Sequence, residues 1–159
     1  MNIDRTPHDR FFYQVMRHKK KAMAFLARYL PKEILHDINL EEITLAESKH
    51  SSEQWGTGYS DIIYQCKFNR GAPGHLFITC EHQSTPDKRM PLRLIKYNVD
   101  TIEKHMDQGG DKYPIVVNIV LYNGRKPWNY SKAFGDHYCR PVWGKKFWQS
   151  QVNILTRKK

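Results

Sequence analysis

Residues 113–124, YPIVVNIVLYNG, run almost without polar interruption and are rich in β-branched side chains. A strand of this composition has to be covered on both faces, because a solvated face would select alternating polar residues. That requirement calls for a sheet with helices packed on it, and the chain ahead of this run supplies the parts. Leu92, Ile95, Val99, Ile102 and Met106 recur at steps of three and four, a single stripe on one helix, with Thr85 or Asp87 as its cap and QGGD as its stop. Before that, Ile62, Tyr64, Cys66 and Phe68 alternate with Asp61, Ile63, Gln65 and Lys67, while Leu76, Ile78, Cys80 and His82 alternate with Phe77, Thr79, Glu81 and Gln83. NRGAPG between the two runs is turn chemistry, so they read as a hairpin.

Towards the N-terminus, Phe12, Val15, Ala22, Phe25, Leu26 and Tyr29 follow helical spacing. This predicts one long amphipathic helix from Asp9, its N-cap, to Leu30, closed by Pro31. Arg17, Lys19, Lys20, Lys21 and Arg28 fall on its other side, as a solvated face or a phosphate contact. PKEILHDINL predicts a short helix starting at Pro31, followed by an extended stretch over residues 42–46. The order helix, strand, strand, strand, helix, strand predicts a mixed sheet of the α/β or α+β class. Beyond RKPWNY, Trp128, Trp143, Phe147 and Trp148 show no period, and no element is assigned.

The 159 residues suit a single core. No run approaches the roughly 18 consecutive apolar residues of a membrane helix, and MNIDRTPHDRFF lacks the apolar core of a signal peptide. A soluble cytoplasmic protein with no membrane partner is expected. Cys66, Cys80 and Cys139 have neither C-x-x-C nor zinc-finger spacing, which indicates no disulfide framework and no structural zinc. The net charge of +10 is concentrated at the ends: residues 1–30 carry seven Lys/Arg against two acids, residues 125–159 nine against one, and the stretch between ten against thirteen. Basic ends around a mildly acidic centre suit a polyanion binder with an acidic metal site, or simply a chain kept soluble by its lysines.

The hairpin holds the residues that bear chemistry. With residues 69–74 as the loop, paired residue numbers sum to about 143, which sets Asp61 opposite position 82 within a one-residue register step. Asp61 then shares a face with Glu81 or Gln83. Two facing carboxylates repel unless they share a proton or a cation. Mg²⁺, which takes one or two carboxylates and keeps several waters, is one answer and would make a phosphodiesterase site. Solvated acids at strand ends are the other reading of the same residues. His82 falls on the opposite face, as a packing residue.

HDRFF with FLARYLP, then SDIIYQ, LFITCEHQSTPDKRMPLRLIKY and YPIVVNIVLYNGRKPWNYS, resemble the bacterial recombination-promoting nuclease, or transposase-like, family of the PD-(D/E)xK superfamily. The resemblance spans about residues 8–131, and it implies a restriction-endonuclease-like core of order α-β-β-β-α-β over 1–131. Residues 132–159 depart from the family pattern and are expected to be a basic aromatic tail, truncated or frameshifted and partly disordered. By position, the resemblance implies that Asp61 and Glu81 hold Mg²⁺, with Mn²⁺ as a substitute, and that Gln83 stands where most of the superfamily has Lys. A neutral amide can orient water but cannot neutralise charge. Arg93 is therefore the candidate cation and Lys88 the second, while Asp9 matches an N-terminal acid that either caps the helix or acts from the outer sphere. The implied activity is a Mg²⁺-dependent DNA endonuclease linked to recombination or mobile elements, nucleoid-associated and with self-association left open. A non-catalytic DNA-binding module or inactive homologue is the alternative.

Overall fold

The structure is a computed structural model that describes residues 7–46, 62–69, 74–142, 145 and 153–156. Three helices lead: α1 (Pro7–Met16), α2 (Lys19–Tyr29) and α3 (Lys32–Asp37). A 3-10 turn over Leu40–Glu42 delivers the chain to β1 (Thr44–Ala46). Next come β2 (Ile62–Lys67), β3 (His75–Gln83), α4 (Met90–Asp107), β4 (Ile115–Tyr122) and β5 (Asn153–Thr156). The strands form one mixed sheet in the order β1-β2-β3-β4-β5. β1, β2 and β3 pair antiparallel, whereas β4 lies parallel to β3 and β5 parallel to β4. A parallel neighbour requires a crossover, and α4 is the one between β3 and β4. β4, the unbroken apolar run, thus has a paired strand on each side.

One face of the sheet is apolar. Ile62, Tyr64 and Cys66 of β2, Leu76, Ile78 and Cys80 of β3, and Ile119 of β4 bury against Phe12, Met16, Ala22, Leu26 and Leu30. Leu26 and Ile78 lose all exposure, each contributing about 2 kcal/mol of transfer free energy. The expected single helix from Asp9 to Leu30 is in fact two. His18 takes an extended conformation (φ −81°, ψ 110°) and turns the chain. The turn lets Phe12 and Met16 enter the same core as Ala22 and Leu26. It also strands carbonyls at the end of α1, and the Tyr64 hydroxyl donates to that of Met16. Burial, then the nearby Cys80, raises the Tyr64 pKa, so the hydroxyl keeps its proton. α1 begins at Pro7, whose fixed φ suits a first helical position. Asp9 is therefore inside the first turn instead of capping it.

The other face is covered by α4, and here the expectation and the structure differ. The stripe Leu92, Ile95, Val99, Ile102 and Met106 does not meet the sheet. Met90, Pro91, Leu94, Thr101 and His105 do, while Leu92 and Val99 remain exposed. The reason is the polarity of the surface beneath, where Thr79, Glu81 and Gln83 of β3 and Asn118 of β4 are buried. Asn98 answers Asn118 with a 2.7 Å hydrogen bond between their side chains. Gly109, at φ 91°, ends α4 in the left-handed conformation that QGGD was read to supply.

Part of the 132–159 segment joins the sheet, since β5 lies beside β4. Between them Trp128 packs edge-on against Tyr122, and a 3-10 turn covers Phe134–His137. Among the described residues no helix is long and apolar enough to cross a membrane.

Cys66 and Cys80 are buried and Cys139 is exposed. Burial, then the charge of Glu42, pushes the Cys66 thiol up to about 11, which leaves almost no thiolate at neutral pH. A thiol reagent at pH 7.5 is expected to label Cys139 in the folded protein and to reach Cys66 and Cys80 only in urea, as read by peptide mass mapping.

Candidate active site

Alternation along β3 sends Phe77, Thr79, Glu81 and Gln83 towards α4 and His82 the other way. His82 stacks on Phe12, with ring centroids 5.4 Å apart and planes at 28°, so it is a packing residue as its position implied. Glu81, opposite Val120 of β4, is 1 % exposed. An ionised carboxylate at that depth requires a cation and hydrogen bonds. Arg93, one turn into α4, provides both.

The Arg93 guanidinium spans two acids. Its Nη2 donates to Glu81 Oε1 and its Nη1 donates to Asp87 Oδ2 at 2.8 Å. Nη2 also reaches the Tyr97 hydroxyl at 3.3 Å, and the guanidinium carbon lies 6.0 Å from the centre of the Tyr97 ring. Tyr97 is four residues beyond Arg93, the spacing that stacks side chains on one helix face. Burial by itself would lower the Arg93 pKa, but Glu81 beside it, together with Tyr97 and Asp87, drives it upward. The guanidinium is thus permanently charged. Asp87 in turn is held by its own turn, where Oδ1 accepts from the Arg89 N–H at 2.7 Å. Asp87 therefore does not cap α4 as expected, since the N-cap is Arg89 and takes no side-chain bond; its two oxygens divide between the turn and Arg93.

Gln83 is nearly buried, and its Nε2 donates to the Thr85 carbonyl at 2.8 Å. That bond fixes which end of the amide is which, turning Oε1 away from Thr85 as an acceptor. The Asn123 N–H donates to the Gln83 carbonyl at 3.1 Å, which ties the end of β3 to the turn after β4. Gly124 in that turn has no room for a side chain, since a Cβ would strike the Tyr122 hydroxyl and the Ser84 carbonyl.

Of the residues expected to form a site, Glu81, Gln83 and Arg93 converge at one end of β3. Lys88 is exposed in the turn ahead of α4, outside the ion-pair cluster. Asp61 and the side chain of Asp9 lie outside the described residues. The β2–β3 register is described up to Ile62, which pairs with Cys80. Paired numbers there sum to 142, one less than the loop length suggested. Asp87 and Tyr97 as partners of Arg93 were not foreseen, although the i, i+4 relation of Arg93 and Tyr97 was a readable signal. Among the described residues no group of three or more His, Cys, Asp or Glu is arranged to hold a metal ion. Glu81 and Gln83 nonetheless offer the oxygen donors that Mg²⁺ and Mn²⁺ take.

Comparison with known proteins gives a family. The sequence model described as "Putative transposase, YhgA-like" matches residues 6–157. Recombination-promoting nuclease RpnC of Escherichia coli K12 is 32 % identical over 151 residues, 94 % of this chain and 50 % of that protein. RpnA of the same strain is 30 % identical, over 94 % of this chain and 51 % of its own length. RpnE, named an inactive recombination-promoting nuclease-like protein, is 30 % identical over 86 % of this chain and 46 % of its own length. The chain thus spans about half the length of the curated relatives it matches. No solved structure matches it.

Removing the guanidinium would leave Glu81 charged and buried without its cation. Arg93→Gln is expected to cost about 3 kcal/mol in urea unfolding followed by circular dichroism. Arg93→Lys is expected to recover only part of that loss, because a single ammonium does not reproduce a fork across two carboxylates.

Proposed function

Since the chain belongs to the YhgA-like transposase family, we propose that it is the nuclease portion of a Mg²⁺-dependent DNA endonuclease serving recombination or mobile-element movement. Its relatives carry nuclease in their names. The observation that supports catalysis is the buried Glu81 beside Gln83 at one strand end, paired with the Arg93 that Asp87 also binds. The succession of helices, β1, β2, β3, α4 and β4 supports the PD-(D/E)xK core of order α-β-β-β-α-β.

The reading makes a definite demand on Asp61. Continued by one residue, the pairing of Ile62 with Cys80 would set position 61 across from Glu81. Glu81, Asp87 and Arg93 carry one net negative charge between them. A nearby Asp61 would make it two, which a divalent cation balances. Asp61 and Glu81 would hold the ion, and Gln83 Oε1 would accept from an attacking water and orient it. When bound, Mg²⁺ supplies polarisation of the scissile phosphate and a lower pKa for water. Arg93 would stabilise the charge that develops on the phosphate oxygens, the part Lys plays elsewhere in the superfamily. The exposed Arg17, Lys19, Lys20 and Lys21 between and at the start of the helices would meet the DNA backbone. A second reading, a DNA-binding relative without activity, is favoured by the resemblance to RpnE, an inactive member.

Nicking of supercoiled plasmid in Mg²⁺ or EDTA tests the two. Wild type is expected to nick only with metal, and Asp61→Ala and Glu81→Gln to lose roughly a hundredfold or more in rate while keeping the wild-type circular dichroism spectrum. Equal nicking by all three overturns the assignment. Salt-sensitive DNA binding with no cleavage by wild type selects the inactive reading.

A further inference from the structure

The solvent side of α4 is patterned like half of an interface. Leu92, Ile95, Val99, Ile102 and Met106 repeat at 3-4-3-4 intervals, the a and d positions of a heptad and not the broader stripe of a helix seated on a core. At about 100° per residue this seam lies roughly 130° around the helix from the side that carries Met90, Leu94, Thr101 and His105. Leu92 is 38 % exposed and Val99 47 %, with Ile95, Ile102 and Met106 half-buried. A neighbour on this seam would therefore sit beside α4 and leave its contact with the sheet intact.

We propose that the partner is a second copy of this chain, with the two α4 helices packed antiparallel about a twofold axis between Asp100 and Thr101. Flanking charge supplies the argument. With Leu92 at a, the e positions are Lys96 and Glu103 and the g positions are Asn98 and His105. A parallel pair sets e against g of the other helix, and here g is neutral Asn98 or the buried His105, which offers no complement. Reversing one helix sets e against e. It also sets a against d, so the reversed pair faces Val99 with Ile102 of the other copy twice, Ile95 with Met106 twice, and Lys96 with Glu103 twice. Such an interface is isologous and closes at two copies, which keeps the exposed apolar side chains from promoting open-ended association. Charge at e and g is what sets orientation and partner choice in paired helices.

Sedimentation velocity of the full chain at up to roughly 100 µM, above the Kd of a weak dimer, tests this. Wild type is expected to dimerise. Lys96→Glu and Glu103→Lys, each of which turns two attractive pairs into two repulsive ones, are each expected to raise the Kd about tenfold. An equimolar mixture of the two variants restores opposite charges at both crossings, and is expected to form a heterodimer near wild-type affinity. Circular dichroism confirms that each variant is folded, and rescue in the mixture is a result that misfolding cannot produce. A monomeric wild type, or charge reversals that dimerise as well as wild type, would overturn the proposal.

Discussion

A carboxylate sunk to 1 % exposure on a central strand is tolerable only with a cation against it, and the Arg93 fork is that cation. The fork joins three elements at one point. Glu81 belongs to β3, Asp87 to the turn that leaves it, and Arg93 to the helix that returns over it. The angle at which α4 enters and the depth at which Glu81 sits are therefore coupled. Tyr97, one turn further along, backs the same guanidinium and narrows its freedom further.

That ion pair also accounts for the difference between the two faces of the sheet. Against α1 and α2 the strands present apolar side chains, the capped Tyr64 and His82 stacked on Phe12. Against α4 they present Thr79, Glu81, Gln83 and Asn118, so the helix meets them with Arg93, Asn98, Thr101 and His105. Burying polar groups costs more than burying methylenes unless they are matched; the Glu81–Arg93 and Asn118–Asn98 pairs are matched and specify one helix position where an apolar contact would tolerate sliding, while the Thr79 and Thr101 hydroxyls are buried without a hydrogen-bond partner among the described residues. A site requiring fixed geometry is better served by the second arrangement.

Strand alternation and the unbroken apolar run were legible because both are local and strong, and they carried the hairpin, the strand after α4 and the register to within one residue. The turn at His18 was not legible, because helical period continues on either side and no Gly or Pro marks the break; the core beneath decides it. The packing face of α4 was misread for a related reason. Periodicity finds the apolar side of a helix, but which side packs depends on the surface it meets, and here that surface mixes Phe77 and Val120 with Thr79, Glu81, Gln83 and Asn118. NILT, four residues long, was too short to announce β5. Within the site, Glu81, Gln83 and Arg93 were recoverable from strand alternation and family likeness together. Asp87 was read only as a cap, since capping is a local signal and a bond from a second oxygen to a guanidinium six residues away is not.

The placement of β5 bears on how the chain reaches this state. The apolar strand β4 is complete at Tyr122, yet the strand that covers its outer edge is supplied by residues 153–156. During synthesis or refolding, that edge presents open hydrogen-bonding groups along a β-branched surface until some thirty further residues have been made. Parallel pairing between segments so distant in the chain is slow to form. The interval before β5 docks is thus the stage at which this protein is most exposed to aggregation, and at which a chaperone would have most to protect.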